Sequence, residues 1–193
     1  MPRNFGCLVA NLLANAWDDV EVFPLGLSKK PGLATLYGTS RTGASLIGSC
    51  AGASQFFHRT IALSTLDILL GSRFNGKKVF IKIDVEGVEY EVLLGALVTM
   101  DMNPKPTWVI EICLNEYHPD GINPHFQDMF NLFWQRGYEV CTADENNKLI
   151  QPEDVARWVQ EGRCDSGMIN YKSPPSDVIE SGSRFLQSRV FGF

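Results

Sequence analysis

The sequence predicts an α/β fold in which a mostly parallel sheet lies between two layers of helix. Three observations predict it. Strand-like and helix-like segments alternate along the chain, the pattern of a sheet built from βα units. The segment "KKVFIKIDV" (77–85) is apolar on both faces apart from Lys82 and Asp84, as expected of a strand covered on both sides in a parallel sheet. The 193 residues, 45% hydrophobic and 20% charged, match one ordinary domain, residues 1–193, long enough to bury a useful core.

The elements follow in order. Phe5, Leu8, Val9, Leu12, Leu13 and Ala16 fall at helical spacing, so residues 3–16 form an amphipathic helix. "DVEVFPLGLS" reads as a strand ending near Leu25 to Leu27, and "GLATLYG" as a short strand bounded by glycines. The Gly- and Ser-rich "GTSRTGASLIGSCAGAS" is a long loop or cap. "RTIALSTLDILLG" gives a strand, then Ser64 or Thr65 as N-cap, then a short helix ending at Gly71. After "KKVFIKIDV" and Gly87 the pattern turns helical, pairing Glu89 with Leu93, Val92 with Ala96 and Leu93 with Leu97. "PTWVIEICL" is a second covered strand. "PHFQDMFNLFWQRG" is a helix with Phe126, Met129, Phe130 and Phe133 on one core-facing stripe and Gly137 as its stop. "YEVCTA" is a strand. "QPEDVARWVQEG" is a helix with Pro152 at its first position and Gly162 at its end. A last strand comes from "MINYKS" or "SRFLQSRVFGF".

Composition narrows the function classes. The formal net charge is -5 and the basic pairs Lys29–Lys30 and Lys77–Lys78 stand apart, so no basic stripe exists to hold nucleic acid. The five cysteines include no C-x-x-C pair; they read as reduced thiols in a cytoplasmic protein. No signal peptide is evident, and "FGCLVANLLANAW" is too short to span a bilayer.

The chemistry concentrates in "FIKIDVEGVEYEVLLGA" (80–96), where an apolar strand runs into Asp84, Glu86, Glu89 and Glu91. Side chains alternate along a strand, so Phe80, Lys82 and Asp84 share one face. Asp84 falls at the carboxyl end, where open α/β sheets bind ligands. Gly87 allows a left-handed backbone or a close approach. Glu86 projects from the same turn. Glu89 and Glu91 read as solvated residues of the following helix, favoured by its N-terminal dipole. Lys82, in a covered strand, needs a carboxylate, and Glu111 in "WVIEIC" is the expected partner. His118 in "NEYHPDG" follows a strand end and either lines the site or lies on the surface. No phosphate-binding loop, H-E-x-x-H helix, G-x-G-x-x-G turn or G-x-S-x-G elbow occurs.

The same segment resembles the central signature of the FkbM family of S-adenosylmethionine-dependent methyltransferases. The likeness extends through "VEVFPLGLSKKPGLATLYG", "TGASLIG", "IALSTLDILL", "KPTWVIEI" and "FWQRGYEV", in the family's order, over about residues 3–140. It implies a class I methyltransferase fold, Rossmann-like, with a seven-stranded sheet of order 3-2-1-4-5-7-6 and strand 7 antiparallel. Residues 20–25 then resemble strand 3, 79–84 strand 4, 108–112 strand 5 and 138–142 strand 6. The resemblance implies S-adenosyl-L-methionine as cofactor, held by Asp84, Leu27 and Ser28, and a hydroxyl acceptor on a small molecule or sugar. Asp84 and Glu86 are the implied catalytic residues: carboxylates hold a cationic sulfonium, and either one accepts the hydroxyl proton. A divalent cation held by two or three of these acids stays open, although no metal site is assigned.

The chain departs from the family at its beginning. The first βαβ unit, with its Asp-x-Gly-x-Asn-x-Gly type loop and the Glu-Pro that holds the ribose, is not present. The expectation is a domain lacking the first two strands, with strand 3 closing on strand 4 as one outcome, and with weak cofactor affinity. Two alternatives stand beside methyl transfer: a non-catalytic binding module of the same fold, and a metal-dependent hydrolase using Asp84, Glu86 and Glu111.

Overall fold

A computed structural model of the chain describes residues 2–38, 44–48, 50, 53, 55–115, 118 and 121–174. Helix α1 (Pro2–Ala14) stops two residues short of the expected end, where Ala16 takes φ 50° and ends the αR run. β1 (Gly26–Leu27), β2 (Gly32–Tyr37) and β3 (His58–Ser64) follow, then α2 (Leu66–Leu70), β4 (Phe80–Ile83), α3 (Glu89–Leu94) and α4 (Leu97–Met100). The second half runs β5 (Thr107–Glu111), α5 (Phe126–Trp134), β6 (Glu139–Thr142), α6 (Pro152–Glu161) and β7 (Met168–Lys172).

The strands form two mixed sheets, ordered β1-β3-β2 and β4-β5-β7-β6. In the first, β1 runs parallel to β3 and β2 antiparallel to it. In the second, β4 and β5 are parallel while β7 is antiparallel to both β5 and β6. The order 4-5-7-6 with an inverted strand 7 is that part of the expected sheet, and "MINYKS" supplies the inverted strand; "SRFLQSRVFGF" lies outside the described residues. The expected mostly parallel sheet is not what the chain forms. Residues 20–25 are not a strand: an extended segment needs a neighbour to complete its ladder, and Pro24 has no N–H to give. Only Gly26 and Leu27 find a partner, and it is β3 rather than β4.

One face of the second sheet carries the core. Ile83, Trp108, Ile110, Val140, Ile169 and Tyr171 point inward and join Phe126, Met129, Phe130 and Phe133 of α5 and Val155 and Trp158 of α6. Phe133 stacks on Tyr171 with ring centroids 3.8 Å apart and meets Trp108 edge-on at 5.7 Å. The opposite face of β4 is open: Phe80 is 46% exposed and the Lys82 side chain 52%. The covering on both sides that the apolar run suggested is therefore absent there, and β4 is an edge strand of its sheet.

Local signals set the helix ends. Thr65, not Ser64, caps α2, its hydroxyl accepting from Ile68 N at 3.1 Å. α6 begins with Pro152 in a Gln151–Asp154 capping box and ends at Gly162 in the left-handed conformation. The helical run after Gly87 is broken at Gly95 into α3 and α4. A Cβ at Gly95 would collide with the Ser28 carbonyl oxygen, so glycine lets the chain after β1 press against the α3–α4 junction.

Candidate active site

The turn from β4 to α3 is held from several directions. Glu86 has φ 55° and Gly87 φ 96°, two successive left-handed residues that swing the chain out of the strand. The Glu86 carbonyl accepts from Ser45 Oγ at 2.7 Å. Gly87 N donates to Glu89 Oε1 at 3.0 Å. A Cβ on Gly87 would lie 2.7 Å from Cys50 Sγ, so the cap segment closes on the turn where only glycine fits. Glu89 is thereby a buried clamp, 6% exposed, and not the solvated helix residue the sequence suggested. Burial pushes its pKa up, and the backbone hydrogen bonds it accepts oppose that shift. Glu91 does face solvent and pairs with Lys29 at 3.2 Å.

Asp84 stands one residue beyond β4, at its carboxyl end, and lines a cleft with Glu86, Glu89, Glu111 and His118. It is not buried: its side chain is 41% exposed and pairs with Lys82 Nζ at 2.7 Å. The expected Lys82–Glu111 ion pair is not formed. Register explains this: Lys82 lies opposite Val109, whereas Lys82 and Asp84 are alternate residues on the same open face. Ile83 lies opposite Ile110, so one step on Asp84 comes beside Glu111, and both line the cleft. Burial pushes the Glu111 pKa up first, and the neighbouring Asp84 adds to it by charge; Glu86 raises it further and Lys82 opposes.

The two other expected cofactor residues sit apart from this cleft. Leu27 lines a smaller cavity with Ser45, Val85 and Val88, on the other side of the turn. The Ser28 amide bonds Ser64 O at 2.9 Å. Sequence reasoning missed Cys50, Cys113 and Asn123 among the lining residues. Asn123 could have been suspected from its place beside Pro124 after a strand: its amide reaches Cys113 O at 3.2 Å and its oxygen accepts from His125 N at 3.0 Å. Cys50 left no signal, because its contact with Gly87 is made across the fold. Among the described residues no group of three or more His, Cys, Asp and Glu is arranged to hold a metal ion, and no helix is long and apolar enough to cross a membrane.

The arrangement offers four carboxyl groups, those of Asp84, Glu86, Glu89 and Glu111, around a small space of about 30 Å³. It can attract a cation and take a proton from a hydroxyl, but the space itself is of the size of a single water. The methyltransferase FkbM domain matches residues 2–140. No curated protein and no solved structure matches the chain.

Proposed function

The chain belongs to the FkbM methyltransferase family, and on that premise we propose that it transfers a methyl group from S-adenosyl-L-methionine to a hydroxyl of a small molecule or sugar. The observation that carries this reading is the carboxylate group at the ends of β4 and β5. Asp84, Glu86 and Glu111 share one cleft, so their charge suits the sulfonium end of the donor. The donor, when bound, supplies an electrophilic methyl group.

The chain's residues then act on the acceptor. Asp84 is paired with the Lys82 ammonium and lines the cleft beside Glu111. A hydroxyl bonded there is held in one geometry, a gain from positioning. Its proton passes to the Asp84 or the Glu111 carboxylate. Glu111, with its raised pKa, is a stronger base than an ordinary carboxylate. Glu86, on its left-handed turn, orients the acceptor from the other side. None of the cysteines is in a disulfide, which supports a reducing, cytoplasmic setting.

A second reading, a non-catalytic module of the same fold, is favoured by the size of the cleft alone. One assay separates the two: the folded protein, isotope-labelled methyl donor and a panel of alcohols, sugars and phenols, with products analysed for new methyl ethers. An O-methylated product supports the transferase; carbon- or nitrogen-methylated products alone contradict hydroxyl transfer, and no product from any acceptor supports the binding module.

A further inference from the structure

The Glu86 carbonyl and the Gly87 amide are the two polar groups of one peptide bond, and a different side chain holds each of them. Ser45 Oγ donates to the carbonyl at 2.7 Å. Glu89 Oε1 accepts from the amide at 3.0 Å. Ser45 belongs to the segment between β2 and β3, whereas Glu89 is the first residue of α3. A peptide plane bonded at one end can still swing about its Cα–Cα axis. Bonded at both ends, by groups on separate elements, it turns only by breaking two hydrogen bonds.

Both holders are buried and each is directed. The Ser45 backbone pairs with Tyr37 through its amide and its carbonyl, at 3.2 and 2.9 Å. Its hydroxyl oxygen accepts from Ile47 N at 3.0 Å, and its one hydroxyl proton goes to the Glu86 carbonyl. At the other end, a carboxylate and a neutral carboxyl group both offer an oxygen to an N–H, so Glu89 holds the amide in either protonation state. Reversing the plane would exchange the partners. The carbonyl oxygen would then face the Glu89 carboxyl, and an ionised Glu89 has no proton to give it.

The turn needs such a constraint because its second residue supplies none. Cys50 Sγ leaves no room for a side chain at Gly87, and glycine takes either sign of φ. Glu86 is different: at φ 55° a non-glycine residue is confined to the narrow left-handed region. A reversed plane shifts its ψ by about half a turn, out of that region. Glu86 would then have to leave its present φ, and its side chain would move with it. From these observations we propose that Ser45 and Glu89 are positioning residues, which lock the Glu86–Gly87 peptide in one orientation and so keep the Glu86 carboxyl in the cleft it shares with Asp84 and Glu111. The lock is a property of the fold; its effect on turnover rests on the methyl-transfer reading.

Four variants of the full chain test it. Ser45→Ala and Glu89→Leu each remove one end of the lock, while Ser45→Thr keeps the hydroxyl and Glu89→Gln keeps the acceptor oxygen. Hydrogen exchange followed by NMR compares the Gly87 amide with the amides of β5, which report the stability of the core. Exchange at Gly87 is expected to be about tenfold faster or more in Ser45→Ala, with β5 unchanged and wild-type behaviour returning in Ser45→Thr and Glu89→Gln. Should Glu89→Leu fail to fold, the Ser45 pair decides. Unchanged exchange at Gly87 in Ser45→Ala, or a rise shared equally by β5, overturns the lock. With donor saturating, kcat/KM for the acceptor should fall about tenfold or more in Ser45→Ala, as for a displaced orienting group, and recover in Ser45→Thr. Wild-type kcat/KM beside faster Gly87 exchange overturns the positioning role. A wild-type chain that methylates no hydroxyl, with the exchange result as expected, keeps the lock and removes the methyl-transfer reading.

Discussion

Gly87 carries two constraints at once, and they can be separated. Its φ of 96° disfavours any L side chain by about 1–2 kcal/mol, and Cys50 Sγ occupies the space a Cβ would need. Gly87→Ala is therefore expected to lose more than about 2 kcal/mol in urea unfolding, the strain and the overlap adding. Adding Cys50→Ala should recover the overlap part only; full recovery would mean that the backbone conformation costs nothing. Glu89, two residues on, gives a pH prediction. Its pKa is raised in the folded protein, so the fold favours the neutral acid. Its contribution is full below the ordinary carboxylic pKa and is lost as pH rises through the folded value. Glu89→Gln removes that loss, since an amide stays neutral and its oxygen still accepts from Gly87 N. Urea midpoints measured across that window should fall more steeply with pH in the wild type than in the variant; parallel curves would contradict the assignment.

At the scale of elements, the pieces legible in the sequence are those fixed by neighbours in the chain. Thr65 before α2, and Pro152 and Gly162 around α6, announce helix ends because their chemistry is local. The stripe Phe126, Met129, Phe130, Phe133 announces a buried face and is buried. Residues 20–25 were misread because a strand exists only with a partner, which no residue in the segment reveals. Lys82 was misassigned for a related reason. Its partner depends on strand register, and a two-residue offset favours Asp84 over Glu111, a choice that their shared face already hinted at. Asp67 shows the same limit in α4. From α2 its carboxylate accepts from Val98 N at 3.1 Å, Thr99 N at 2.8 Å and Thr99 Oγ1 at 2.7 Å, capping a helix whose own N-cap, Ala96, cannot. Asp67→Ala is expected to cost about 1–2 kcal/mol, as for loss of an N-cap, with Asp67→Asn costing less. Equal unfolding midpoints for wild type and Asp67→Ala would show that the α2–α4 link contributes nothing.

Across the whole molecule, the core and the chemistry lie on different sides of one sheet. α5 and α6 seal the face bearing Trp108 and Tyr171, which anchors β4 and β5. Their carboxyl ends then present Asp84 and Glu111 side by side, and the turn after β4 adds Glu86. The segment between β2 and β3 contributes the cap residues, Ser45 bonding to the turn and Cys50 lying against Gly87. The position of Asp84 at the strand end was legible from alternation alone; its partnership with Glu111 was not, because it is set by the parallel register of two strands distant in sequence. On the proposed methyl-transfer reading, the Asp84 carboxylate works on the acceptor hydroxyl. The measurement that tests it most directly is kcat/KM for methyl transfer to the best acceptor in wild type and in Asp84→Asn, with matched folding and saturating donor. The expected loss is about 10²-fold or more, the range for a group that assists proton transfer. A variant that transfers methyl groups at the wild-type rate would contradict it.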